Sequence, residues 1–187
     1  KSGKLLTEQV FDNARKFSEG FAAVSLKGKW GYIDKSGAPV IGPRFNRAFY
    51  FSDGLAAAEI TTSSVQSKFG YINKAGEFVI QPQFLFAQEF SDGLAMVNTA
   101  VKTGFIDKTG KMVTATAFGA AESFSEGLAA VKIDDKWGYI DRSGKIVIEP
   151  QFGLAMQFRN GLAVVHDRGR VYYINRTGEI ISKRLDG

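Results

Sequence analysis

The sequence predicts an all-β protein built from tandem β-meanders, and three observations carry that expectation. A phrase recurs at a fixed interval, the runs between recurrences are short and β-favouring, and the punctuation between runs is hairpin chemistry. Phe17-Ser18-Glu19-Gly20 returns as Phe51-Ser52-Asp53-Gly54, Phe90-Ser91-Asp92-Gly93, Phe124-Ser125-Glu126-Gly127 and Phe158-Arg159-Asn160-Gly161, in steps of 34, 39, 34 and 34 residues. Trp30-Gly31-Tyr32-Ile33-Asp34-Lys35-Ser36-Gly37 is answered on the same beat by residues 69–76, 103–110, 137–144 and 171–178. The longer step holds a five-residue insertion around Ile60-Thr61-Thr62-Ser63-Ser64-Val65-Gln66, whose polarity predicts a lengthened loop.

Each element follows from its residues. The run Gly-Leu/Phe-Ala-x-Val, at 21–24, 94–97 and 128–131, is short, has β-branched and aromatic content and is bounded by glycine, which predicts a strand, here named b. A short polar link such as Lys27-Gly28-Lys29 or Asp134-Asp135-Lys136 turns the chain into a second strand, c, carried by Trp-Gly-Tyr-Ile-Asp. Asp34-Lys35-Ser36-Gly37 and its copies supply a side-chain acceptor for nearby backbone and a glycine able to take positive φ, the chemistry of a three-to-five-residue hairpin loop. Strand a follows as Val40-Ile41, Phe78-Val79-Ile80 or Ile146-Val147-Ile148, and Pro43, Pro82 and Pro150 are expected to end it, since proline cannot donate to the ladder. About a dozen residues, 83–91 among them, then connect to the next unit.

One meander cannot bury both faces, so neighbouring units must cover each other. Ala22, Ala56, Ala95, Ala129 and Ala163 hold one position in every copy, which predicts a site where units approach too closely for a larger side chain. Phenylalanines six apart, Phe45 with Phe51, Phe84 with Phe90, Phe118 with Phe124 and Phe152 with Phe158, are the expected filling between units.

The phrase Trp-Gly-Tyr-Ile-Asp-Lys-Ser-Gly, followed by Val-Ile-x-Pro-x-Phe at 40–45, 79–84 and 147–152 and by Phe-Ser-Asp/Glu-Gly-Leu-Ala, closely resembles the bacterial WG-repeat family over essentially the whole chain. Two copies depart from the pattern: Thr103 and Val171 replace the tryptophan, and Tyr172 replaces the glycine. The resemblance implies tandem β-rich repeats, often within larger bacterial proteins, and implies no catalytic residues. Cut at the turn between c and a, the units are approximately 3–36, 37–75, 76–109, 110–143 and 144–177, with a partial unit at 178–187, and 1–187 is expected to be a single tandem-repeat domain. Residues 2–11 duplicate strand a and its connector rather than supplying something the last unit lacks. An open superhelical, solenoid-like array is therefore expected, with a closed five-bladed β-propeller as the alternative.

Composition narrows the chemistry. The chain has no cysteine and a single histidine, His166, which excludes disulfide scaffolds, thiolate chemistry, histidine-based triads and multi-histidine metal sites within it. No apolar run approaches the roughly 18 residues a membrane helix needs. Residues 1–7 lack the apolar core of a signal peptide, so either the bacterial cytoplasm or, with a signal outside this chain, the cell envelope or exterior is expected. No cofactor or metal is expected, because the Asp/Asn column at Asp34, Asn73, Asp107, Asp141 and Asn175 lacks the closely spaced acids of a calcium loop and reads as turn capping.

Repeats place equivalent residues in rows, and one row is basic throughout: Lys35, Lys74, Lys108, Arg142 and Arg176. It is the candidate site for an anionic partner, with hairpin-tip solvation as the competing account. An acidic row at Glu19, Asp53, Asp92 and Glu126, lapsing to Asn160, is expected to support its own turn. Net charge is +5, a modest excess that, with aromatics at periodic positions, argues against nucleic acid. The expected function is a non-enzymatic binding or scaffold module for a protein or anionic polymer. The alternative is a carbohydrate or cell-envelope module using exposed Trp30, Trp137 and nearby tyrosines, which open or buried rings would separate.

Overall fold

A computed structural model describes residues 10–63, 66–100, 103–114 and 118–183, and every regular element among them is a β-strand. The chain divides into two compact units, one running to Glu89 and the other from Phe90. The first unit holds β1 (Asn13–Ala14), β2 (Phe21–Leu26), β3 (Lys29–Asp34) and β4 (Pro39–Phe45) in one antiparallel sheet. Its second sheet runs β5 (Arg47–Ala48), β6 (Ala56–Ser63), β7 (Gln66–Ile72) and β8 (Phe78–Phe84). A further short strand, β9 (Phe86–Ala87), lies outside that sheet and ends the unit. The second unit pairs β10 (Leu94–Asn98) with β11 (Thr103–Asp107). It continues with the sheet β12 (Ala120–Ala121), β13 (Leu128–Ile133), β14 (Lys136–Asp141) and β15 (Ile146–Phe152). Its last sheet is β16 (Leu154–Ala155), β17 (Ala163–Asp167), β18 (Arg170–Ile174) and β19 (Ile180–Lys183).

Strands b, c and a appear as β2-β3-β4, β6-β7-β8, β13-β14-β15 and β17-β18-β19, so the meander is present as expected. To it the structure adds a two-residue strand from the preceding connector, hydrogen-bonded along b. In the first sheet Asp12 N donates to Ser25 O at 2.9 Å and Arg15 N to Ala23 O at 2.8 Å. The second residue of this strand is a buried alanine at Ala48, Ala87 and Ala155. The third copy, without a Pro motif, replaces strand a with isolated bridges from Ile106 to Met112 and Thr103 to Phe118.

The prolines correct the expectation that they end strand a. β4, β8 and β15 run through Pro43, Pro82 and Pro150. Trp30 pairs with Phe45 but Tyr32 with Ile41, so four residues on strand a oppose two on c, and the surplus is a bulge. The same shift separates Phe69/Phe84 from Tyr71/Ile80. A proline is tolerated there because the bulge requires no ladder donor at that position. The bulge folds over the glycine of strand c. A Cβ on Gly31 would stand 2.8 Å from Pro43 N and meet Ile41 O still closer; on Gly138 it would stand 2.7 Å from Pro150 N. The glycine of the Trp-Gly pair is thus the space that the Ile-x-Pro segment occupies.

The five-residue insertion is also corrected. It lengthens a hairpin instead of a loop: β6 reaches Ser63, β7 starts at Gln66, and Ile60 pairs with Lys68 and Thr61 with Ser67. Residues 64 and 65 lie outside the described residues. Threonine favours extended backbone, and Asn46 Nδ2 adds cross-strand bonds to Thr61 Oγ1 at 2.7 Å and Ser67 Oγ at 2.9 Å.

Successive sheets stack face to face. In the first unit Ala23, Tyr32 and Ile41 of one sheet pack on Ala56, Ala58 and Ile72 of the next. In the second unit Ala130, Tyr139 and Ile148 pack in the same way on Ala163, Val165 and Ile174. The alanine column is at most 2% exposed, and the paired phenylalanines lie between 0% and 6% exposed. Gly138→Ala should cost about 1–3 kcal/mol, roughly 2–4 °C of melting temperature per kcal/mol, through this clash with backbone. Gly42→Ala, where nothing lies within 4 Å, should stay within about 0.5 kcal/mol; thermal melts of the two variants check the difference.

Candidate functional site

The polar rows fall at three kinds of turn. At the c–a turn, Asp34 Oδ1 accepts from Ser36 N at 2.8 Å, Ser36 Oγ at 2.5 Å and Ala38 N at 3.1 Å, while Gly37 sits at φ +86°. Asn73, Asp107, Asp141 and Asn175 repeat the two backbone bonds, and all but Asn73, which faces Ala75, repeat the hydroxyl bond. Side-chain donation from Ser36, Thr109 and Ser143 holds the carboxyls of Asp34, Asp107 and Asp141 below the usual aspartate value. The column read as turn capping therefore caps turns.

The acidic row does more than the expected support of its own turn. Ser18 and Phe21 exchange backbone bonds around Glu19 and Gly20, both at positive φ, a two-residue type I′ turn. From that turn the carboxylate reaches the following repeat. Glu19 Oε1 accepts from Gly54 N at 3.2 Å, Asp92 Oδ2 from Gly127 N at 2.7 Å, and Glu126 Oε2 from Gly161 N at 2.9 Å. The preceding serine makes a parallel tie: Ser18 Oγ donates to Phe51 O at 2.6 Å, Ser91 Oγ to Phe124 O at 2.7 Å and Ser125 Oγ to Phe158 O at 2.8 Å. No feature of the sequence within one repeat marked these as links; their recurrence as a phrase was the only signal.

The basic row is divided by the same geometry. Lys74 Nζ stands 3.1 Å from Glu19 Oε2, and Arg176 Nη1 donates to Glu126 O at 2.6 Å and lies 4.0 Å from its carboxylate. Burial alone would raise the Glu19 carboxyl, but donation from Lys74 and Gly54 N outweighs it and the group titrates below its usual value. Arg142 lies beside Gly93, its Nη2 2.8 Å from where a Cβ would stand. Lys35 and Lys108 are exposed at their turns and make no ion pair among the described residues.

Of the aromatic rings that the carbohydrate alternative would need open, all but Trp30 are buried. Tyr32, Tyr71 and Tyr139 are at most 1% exposed and Trp137 is 8% exposed. Burial pushes the three tyrosine hydroxyls well above their ordinary value, and each donates to a backbone carbonyl at 2.8 Å: Phe49 O, Gln88 O and Met156 O. Trp30 is half-buried beneath the Arg15 guanidinium, whose carbon lies 4.9 Å from the ring centroid. Among the described residues no three His, Asp or Glu side chains converge as metal ligands, and no helix is long and apolar enough to cross a membrane.

The family model described as WG containing repeat matches residues 1–30, 30–60, 69–99, 104–137 and 137–169. The chain belongs to the WG containing repeat family. No curated protein matches its sequence. The fold is similar to those of Kluyveromyces lactis Hsv2 (9% identity, TM-score 0.55), the dihydro-heme d1 dehydrogenase NirN (11%, 0.54) and a puromycin hydrolase (13%, 0.51). These alignments cover 90%, 94% and 97% of this WG-repeat chain, which spans only 62%, 48% and 39% of the respective proteins. At such identities the likeness concerns the fold alone, although two of the three are enzymes.

Two outcomes follow for the polar rows. Ser125→Ala should lower stability by about 0.5–1.5 kcal/mol in chemical denaturation, since it removes the tie to Phe158 O. Asp34, Asp107 and Asp141 have folded values depressed below the unfolded value of about 3.9, so their stabilisation is complete above that pH and is lost as pH falls through the folded values. The triple Asp→Asn variant, copying Asn73 and Asn175, should therefore lose melting temperature less steeply between about pH 4 and pH 2; equal slopes would contradict the linkage.

Proposed function

We propose that this chain is a non-enzymatic binding or scaffold module that presents a repeated surface to a protein or an anionic polymer. The observation that carries the reading is how the polar rows are used. The Asp/Asn column caps turns and the acidic row ties one repeat to the next, so neither supplies a converging acid and base. What is left for a partner is exposed positive charge in each unit: Lys35 and Lys108 make no ion pair among the described residues, and Lys74, Arg142 and Arg176 hold the same position in their own repeats. Repetition of a weak positive site adds up through multivalency, which suits an extended partner better than a small molecule.

Lys35→Glu with Lys108→Glu should reduce retention on immobilised dextran sulfate and make its remaining salt dependence shallower, because fewer ion pairs form, while leaving the melting temperature within about 2 °C. The control is Lys74→Glu with Arg176→Glu, which places carboxylates against Glu19 and Glu126 and should lower stability as well as retention. Unchanged retention in both variants would remove the basic row from the proposal.

A further inference from the structure

The chain holds a single Asn-Gly dipeptide, Asn160-Gly161, and it stands where the acidic row lapses. Asparagine before glycine loses its side-chain amide most readily, because glycine has no side chain to hinder attack of its own backbone nitrogen on the asparagine Cγ. The surroundings of Asn160 oppose that attack twice. Arg159 N donates to Leu162 O at 2.8 Å and Leu162 N to Arg159 O at 3.2 Å, which pins Asn160 at φ +52° and Gly161 at φ +78°. The hydrogen on the attacking nitrogen is also taken, since Gly161 N donates to Glu126 Oε2 at 2.9 Å. Glu126 is itself braced: Arg176 Nη1 donates to its carbonyl at 2.6 Å and lies 4.0 Å from its carboxylate. The first unit repeats the arrangement on a slower-reacting pair, Asp53-Gly54, whose Gly54 N donates to Glu19 Oε1 at 3.2 Å.

We propose that Asn160 is a deamidation site and that the carboxylate of Glu126, one repeat earlier, holds it in check. In the reaction the Gly161 amide gives up its proton, its nitrogen bonds to Asn160 Cγ, and the Cγ–Nδ2 bond breaks to release ammonia and leave a succinimide. Water then opens the ring at one carbonyl or the other, giving aspartate or isoaspartate at position 160. The Glu126 bond acts on the first step. It must break before the nitrogen can turn onto Cγ, and the negative charge that develops on that nitrogen would stand beside a carboxylate. A carboxylate is far too weak a base to take an amide proton, so the bond restrains the nitrogen rather than activating it. Either product gives this position the negative charge that Asp53 and Asp92 carry in the same row. The isoaspartyl product also adds a backbone atom to the two-residue turn and so breaks the pairing of Arg159 with Leu162.

Mass spectrometry of the peptide spanning Asn160, after incubation of the folded 187-residue chain in mildly alkaline buffer, reads the conversion. Glu126→Ala should deamidate about tenfold faster than the parent, the factor that corresponds to losing a hydrogen bond to a charged group. Glu126→Asp should keep the parent's rate, because an aspartate in this row makes the same bond, Asp92 Oδ2 accepting from Gly127 N at 2.7 Å. Ser125→Ala should also keep it, since that change loosens the same joint but leaves the Gly161 bond in place. An unchanged rate in Glu126→Ala overturns the proposal, as does a slower one, the result if the carboxylate acted as a base. Equal acceleration in Ser125→Ala overturns it too, by tracing the reaction to opening of the joint. Should Glu126→Ala lose the parent's circular dichroism, Glu126→Gln takes its place, because an uncharged acceptor holds the N–H more weakly and no longer opposes its ionisation; the same outcomes decide.

Discussion

The close stacking of one small sheet on the next is the constraint from which the rest of this structure follows. A four-stranded sheet of short strands has two apolar faces and too little mass to bury either, so each must be covered by a neighbour. Tyrosine on one face and alanine on the facing one let the sheets approach, and the connector's phenylalanine fills the remaining edge. Burying such a ring contributes about 1.5–3 kcal/mol, and the tyrosine hydroxyl enters the core without loss because a connector carbonyl accepts from it. The connector thus does more than join sheets: its two-residue strand, its carbonyl and its phenylalanine all seal the joint it crosses.

The same constraint accounts for the polar chemistry. Where two repeats meet at the rim, orphan glycine N–H groups and phenylalanine carbonyls need partners, and the serine and acid of the preceding turn supply them. An acid at positive φ is an uncommon choice, favoured here because the left-handed turn aims its carboxylate across the joint. The cations that follow contribute less. Lys74 and Glu19 are both partly solvent-exposed, and a pair of that kind contributes roughly 0–1 kcal/mol. A carboxylate accepting a backbone N–H in a fixed turn is the firmer link, and the cation screens its charge.

The period, the hairpins, the phenylalanine core and the close alanine column were all legible in the residues, because each rests on local chemistry repeated in register. Trp-Gly-Tyr-Ile-Asp extends, Asp-Lys-Ser-Gly turns, and the phenylalanines paired six apart go inward. The two-residue outer strands were not legible: a pair such as Arg47-Ala48 is too short for any periodicity and is extended only because strand b offers it a ladder. Nor was the place of the prolines, since Pro43 in an extended run reads as a stop until the bulge over Gly31 explains it.

By itself, then, the sequence determined the repeat, its all-β class and the residues that recur, since turn propensity and side-chain alternation act over a few neighbouring positions. Tertiary structure decided which of those recurring groups face each other. It assigned Glu19, Asp92 and Glu126 to the following repeat, and separated Lys74 and Arg176 from Lys35 and Lys108. Such assignments depend on contacts between residues some 33–55 positions apart, and no local pattern encodes a distance across a joint.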